Sequence, residues 1–176
     1  EKSGCEHLIW IFFLMCRRQT RYTLFPYTTL FRSLRKSFSE VLLSGLAPDG
    51  GLYMPQQTFR FSIDQIENLN SLTYQEITTE ILHQFVSDEI NKKDFENIVN
   101  NAYQVFDSKD VVNLVKLEDQ RWILELFHGP TLAFKDVAMQ LLGTLLDHFA
   151  QKKEIKIAVL GATSGDTGSA AISACS

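Results

Sequence analysis

The chain has 176 residues, 45% of them hydrophobic and 22% charged, with a formal net charge of −4, which suits one globular domain or part of a larger protein. The charge is uneven: residues 1 to 39 hold seven basic and two acidic residues, a balance of +5, leaving −9 for residues 40 to 176. An acidic main body speaks against a nucleic-acid partner, and three cysteines without CxxC or Cys/His spacing give neither a disulfide framework nor a metal site and favour a reducing cytoplasm.

Leu8 to Met15 is the strongest apolar run. It is too short for a hydrocarbon core that needs ~20 residues. Cys16-Arg17-Arg18 follows it with no small-residue cleavage site, so neither a membrane span nor a signal peptide is expected. No acidic residue lies between Glu6 and Glu40, and Thr23 to Ser33 (TLFPYTTLFRS) resembles the conceptual translation of a common sequencing adapter. Residues 1–34 are therefore expected to be a non-native or disordered segment, with a lineage-specific extension as the alternative.

From Ser37 the pattern becomes protein-like. Phe38, Val41 and Leu42 predict a short helix closed by Gly45, and Pro48-Asp49-Gly50-Gly51 a turn before an extended Leu52-Tyr53-Met54-Pro55. Ile63, Ile66 and Leu69 predict a helix capped by Ser62 or Asp64. Tyr74, Ile77, Ile81, Leu82 and Phe85 predict a longer one, and Phe95, Ile98, Val99, Ala102, Tyr103 and Phe106 a third. These stripes read as core faces, and His83 as a surface or partly packed residue.

Val111 to Leu117 and Trp122 to Leu126 read as two strands, joined through Glu118-Asp119-Gln120 as a hairpin. Trp122 is expected to be a packing anchor. The second strand leads to His128-Gly129-Pro130-Thr131, where the histidine is expected to orient the loop. Lys135 then opens a helical pattern of Val137, Ala138, Leu141, Leu142, Leu145, Leu146 and Phe149. A lysine amine is a nucleophile only when burial or a nearby cation lowers its pKa from ~10.4, and apolar neighbours at a helix entry suit that. His148, late in this helix, is expected to face solvent or complement the dipole, and Asp136 to complement the helix start.

Ile155 to Leu160 predicts a strand, Gly161-Ala-Thr-Ser-Gly-Asp-Thr-Gly168 a tight turn, and Ser169 to Ala174 a helix. Such a helix start favours a phosphate or carboxylate, and Gly161, Gly165 and Gly168 allow close backbone approach. The glycines fall as GxxxGxxG with no following Gly-Lys-Ser/Thr, so neither a dinucleotide fingerprint nor a Walker loop is present. Without a ligand the same run is an ordinary connection capped by Asp166 or Thr167.

Taken together, FHGPTLAFKD at 127–136, TSGDTG at 163–168 and GLAPDGGLY at 45–53 resemble the threonine synthase family of pyridoxal-phosphate enzymes, whose fold is tryptophan-synthase-β-like. The resemblance covers roughly Lys36 to Ser176. It implies an α/β fold, with a mostly helical N-terminal domain followed by the truncated start of a parallel-sheet domain. It places the boundaries at 1–34, at 35–118 for the N-terminal domain and at 119–176 for an incomplete catalytic domain. It makes Lys135 the catalytic and cofactor-attaching amine, Asp166 a cofactor contact, and Ser164, Gly165 and Thr167 the holders of the substrate carboxylate, with no metal.

The implied reaction converts O-phospho-L-homoserine and water to L-threonine and phosphate, a cytoplasmic reaction on a small molecule. Asp166 departs from the Asn of the wider fold. An ionised side chain repels a carboxylate, so loop orientation or contact with the cofactor's ring oxygen is its implied role. The family's phosphate loop and most of its parallel strands are expected downstream of Ser176, so the chain alone is expected neither to fold fully nor to turn over. The alternatives are a serine/threonine dehydratase-like enzyme, disfavoured by GLAPDGGLY and FHGPTLAFKD, and a catalytically dead binding protein on the same scaffold. Sequencing the source DNA across Ser33/Leu34 is expected to reveal a join; an uninterrupted native gene carrying those codons defeats the adapter reading.

Overall fold

The structure, a computed structural model, describes residues 7–10, 36–48, 50–55 and 60–176. The expectation for residues 1–34 lies outside the described residues apart from β1 (His7–Trp10), and Asp49 of the 45–53 motif lies outside them too.

Four short helices come first: α1 (Phe38–Ser44), α2 (Ile63–Leu69), α3 (Tyr74–Val86) and α4 (Lys92–Tyr103). Each starts where the chain offers a hydroxyl or amide to its orphan N–H groups. Ser37, Ser62 and Thr73 form complete capping boxes with Glu40, Gln65 and Glu76, and Asn91 accepts from the Asp94 N–H. Gly45 closes α1 at φ 70°.

After these come a hairpin of β2 (Asn113–Glu118) and β3 (Arg121–Glu125), the long α5 (Asp136–Lys153), β4 (Ile157–Leu160) and α6 (Asp166–Ala174). The hairpin is antiparallel, with Leu114 opposite Leu124 and Val115 opposite Ile123. β4 pairs with β1 in parallel, Ile157 opposite His7 and Leu160 opposite Trp10. The expected α/β class is met: after β1 the described residues are helical to Tyr103, then strands alternate with helices.

The core unites α3, α4 and α5. Val86, Ile90, Phe95, Ile98, Val99, Ala102, Tyr103, Phe106 and Val111 pack with Leu141, Leu145 and Phe149, and Phe38 and Leu42 of α1 lean on that cluster. The apolar spacing of α4 and α5 predicted this face. Two expected core features differ. In α2 no residue is buried, with Ile63 75% and Ile66 54% exposed. Trp122 is 53% exposed. It lies on a hairpin whose Leu114, Leu117 and Leu124 are also more than half exposed, with the Lys116 amine over its ring at 5.8 Å, so it anchors no core.

Glu89, between α3 and α4, ties three elements. Its carboxylate accepts from the Ser39 N–H at 2.8 Å, and its carbonyl accepts from Lys152 of α5 at 2.8 Å. Burial pushes the carboxyl up, but hydrogen bonds from Ser39 and Ser37 outweigh this and hold its pKa below the ordinary value. A folded value below the unfolded one means stability fully present above the unfolded pKa and lost as pH falls through the folded one. Glu89→Gln is expected to lower stability by a fraction of ~1 kcal/mol at pH 7 and to flatten the loss of stability as pH falls below the ordinary glutamate range, measured by urea unfolding; an unchanged acid limb contradicts the coupling.

Candidate active site

The loop before α5 is folded by one buried carboxylate. Asp136, with no solvent exposure, accepts the Thr131 N–H at Oδ2 (2.8 Å) and the Thr131 hydroxyl at Oδ1 (2.7 Å). It sits at the first residue of α5, where free N–H groups and the dipole favour an anion. Gly129 lies so close that a Cβ there would come within 2.6 Å of Oδ2. Leu132, in the resulting turn, takes φ 61°, a conformation costing on the order of 1–2 kcal/mol outside glycine. The sequence reading gave Asp136 only a dipole role; the signal for more was a threonine five residues before an aspartate across a Gly-Pro turn.

His128 joins this loop to the hairpin. Its Nε2 lies 2.9 Å from Glu125 Oε2 and 3.0 Å from Asn113 Nδ2. With Nε2 protonated the ring donates to Glu125; with it bare the ring accepts from Asn113. Its carbonyl accepts the Asp107 N–H at 3.0 Å. These contacts give it the loop-orienting role expected from the sequence.

Lys135 immediately precedes α5. Its side chain is 27% exposed, its amine lies 3.5 Å from Asp166 Oδ2, and the Phe134 ring centroid is 4.4 Å away. The two sequence runs therefore meet. What brings them together is the packing of α5 on α6. Gln140 Nε2 donates to Ser173 Oγ at 3.2 Å, and a side chain at Gly143 would overlap the Ala174 carbonyl. Contacts 135–166, 140–173 and 143–174 advance together, so the helices run in the same direction and their positive ends open at one place, beyond the C-terminal end of β4.

The turn itself is closed by a residue the sequence reading passed over. Thr163 Oγ1 accepts from the N–H groups of Gly165 (3.1 Å) and Gly168 (3.0 Å). The expected cap at Asp166 or Thr167 is thus replaced: α6 begins at Asp166, after Gly165 at φ 137° with no side-chain cap. The Thr163 hydroxyl, before the glycine, reaches over the turn, so neither Asp166 nor Thr167 serves as the cap. Ser164, Gly165 and Asp166 are exposed and Thr167 is half-buried. Among the described residues the N–H groups of Ser164, Asp166 and Thr167 have no hydrogen-bond acceptor, which makes the turn an anion-ready surface. His148, expected to face solvent or complement the dipole, instead buries Nε2, which has no hydrogen-bond partner among the described residues, and sets its ring edge-on to Phe149. No group of His, Cys, Asp and Glu that could hold a metal occurs among the described residues.

A family model described as the threonine synthase N terminus matches residues 28–103. Threonine synthase of Pseudomonas aeruginosa is 49% identical over 139 residues, covering 79% of this chain and 30% of that protein. Threonine synthase-like 2 of Xenopus laevis is 40% identical, covering 77% and 29%. The structure of pyridoxal-phosphate-bound threonine synthase from Brucella melitensis superposes with a TM-score of 0.76 at 47% identity, covering 79% of this chain and 30% of that one. The chain thus spans about 30% of the length of the relatives it matches.

Removing the buried clamp is expected to cost more than removing any surface contact. Gly129→Ala and Asp136→Ala should each destabilise by roughly 2–4 kcal/mol, the first by overlap and the second by stranding the Thr131 N–H and hydroxyl. Urea unfolding decides it; a loss below about 1 kcal/mol for both shows that the loop is not held this way.

Proposed function

Since the matched part of this chain belongs to the threonine synthase family, we propose that Lys135 is the amine to which pyridoxal phosphate attaches. In this reading the chain forms one wall of a site converting O-phospho-L-homoserine and water to L-threonine and phosphate. The observation that carries it is the Lys135 amine 3.5 Å from Asp166, at the mouth shared by two helix N-termini.

The residues present suit that group. A partly buried amine on a rigid helix entry can be reached by an aldehyde, and an uncapped glycine turn offers N–H groups to an acid. Pyridoxal phosphate, when bound, supplies an electron sink beside the substrate's amino group. Lys135 Nζ, when free, takes and returns a proton at the substrate's α and β carbons. The hydroxyls of Ser164 and Thr167 and the backbone at Gly165 hold the substrate carboxylate. Asp166 orients the turn and faces the cofactor's ring, and its charge keeps it from being a carboxylate ligand itself.

Asp136 and Thr131 exert their effect through Lys135 by fixing the backbone from which it projects. The same reading takes a small molecule as the partner, with neither nucleic acid nor membrane involved, and a cytoplasmic setting. The acidic balance of residues 40–176 and the sparse cysteines support it, and no helix among the described residues is long and apolar enough to cross a membrane. A second reading is a catalytically dead binding protein on the same scaffold, which would hold the cofactor without forming threonine.

Borohydride reduction of the protein with pyridoxal phosphate, followed by peptide mass mapping, is expected to place the pyridoxyl group on Lys135 and to lose it in Lys135→Ala. Labelling spread evenly over the exposed lysines refutes the assignment. The 176-residue chain alone is expected to form no threonine from O-phosphohomoserine. In a protein carrying the remaining seven tenths of the relatives' length, threonine formation separates the first reading from the second.

A further inference from the structure

At the first turn of α5 the backbone bonds range from 2.9 Å (Met139 N to the Lys135 carbonyl) to 3.4 Å (Val137 N to the Phe134 carbonyl). A side chain from another helix reaches it there. The Tyr103 hydroxyl of α4 donates to the Val137 carbonyl at 3.0 Å, two residues beyond Lys135. Tyr103 is 4% exposed. Its ring is wedged edge-on between Tyr74 (5.1 Å between centroids) and Phe106 (5.6 Å), so the hydroxyl has little freedom to follow a moving carbonyl. Burial pushes the phenol's pKa well above its ordinary value, so the hydroxyl remains a donor throughout the neutral and mildly alkaline range.

We propose that Tyr103 is a positioning residue for Lys135: by holding the Val137 carbonyl, it fixes how far the first turn of α5 advances toward the turn at 163–167, and hence where the amine stands against Asp166. The significance for catalysis rests on Lys135 being the attachment amine, but the positioning itself is measurable without cofactor. The N-terminal helices thereby set the geometry of the amine through one hydroxyl as well as through packing.

The test is reductive methylation with formaldehyde and cyanoborohydride, read by peptide mass spectrometry as the rate at Lys135 relative to the exposed Lys109. Tyr103→Phe keeps the ring and removes only the donor. Its Lys135/Lys109 ratio is expected to rise about fivefold over wild type, the equivalent of the ~1 kcal/mol of one neutral hydrogen bond, as the amine loosens from Asp166. Phe106→Leu trims the same ring stack without touching the hydroxyl, and its ratio is expected to stay within about twofold of wild type. An unchanged ratio in Tyr103→Phe overturns the proposal, and so does an equal rise in both variants, since that reports general loosening of the core. If the methylation result holds while pyridoxal phosphate fails to label Lys135 in the wild-type chain, the assigned function falls and the positioning role stands.

Discussion

A carboxylate shut away from solvent is tolerated only when its lone pairs are answered, and the whole arrangement before α5 follows from how Asp136 meets that demand. Thr131 answers with both its N–H and its hydroxyl, and the helix start adds a favourable field. To reach the carboxylate, Thr131 must fold back over the helix entry, which pulls Gly129 onto the Asp136 side chain and turns the chain through Leu132 at φ 61°. The direction of Lys135 is therefore inherited from a buried joint one residue away. Its own ion pair with Asp166, whose side chain is 73% exposed, is too solvated to impose that direction.

The second constraint is how closely α6 lies on α5. Small residues at the crossing, Gly143 against Ala174, let the helices approach, and Gln140 to Ser173 fixes their relative height. Two helices running side by side in one direction bring two positive ends together. An ammonium at that mouth adds to the same sign, and this chain sets two carboxylates against it, the buried Asp136 in the first turn of α5 and Asp166 in the first turn of α6. The Asp166 carboxylate lies 3.5 Å from the Lys135 amine, so in the proposed reading the N–H groups of the turn are left for a substrate or cofactor acid.

Much of this was legible in the sequence because it is written in local rules. Ser62 was offered as a cap because a short polar residue precedes an apolar stripe there, and the caps the structure adds at Ser37, Thr73 and Asn91 obey the same rule; the meeting of the two glycine-bearing runs was implied by their joint resemblance to one family. What escaped depends on partners far apart or on the absence of a partner. Asp136 looks like any acid in a first helical turn until Thr131 is folded onto it. Thr163 looks like a spacer until its hydroxyl reaches Gly165 and Gly168. Trp122, Ile63 and Ile66 have the residue types of a core, but burial is decided by what packs on them, and periodicity carries no information about that. His148 escaped for the opposite reason: a polar residue late in a helix reads as solvated, yet its ring is drawn in against Phe149.

The amine's platform has two supports of different character. On one side, α5 shares a single apolar cluster with α3 and α4, where Phe95, Val99 and Phe149 are almost wholly buried; moving α5 there opens cavities, so that support is stiff. On the other, the loop 127–131 hangs from a hairpin whose Leu114, Leu117, Trp122 and Leu124 are all more than half exposed. A two-stranded hairpin is marginal by itself, so its hold on the loop must come from the polar contacts at its base: His128 with Glu125 and Asn113, and the Asp107 N–H on the His128 carbonyl. These bonds are directional but exchangeable, since one ring nitrogen faces both a carboxylate and an amide. The helix bearing Lys135 is thus fixed by shape, while the loop leading into it is fixed by charge and hydrogen bonding.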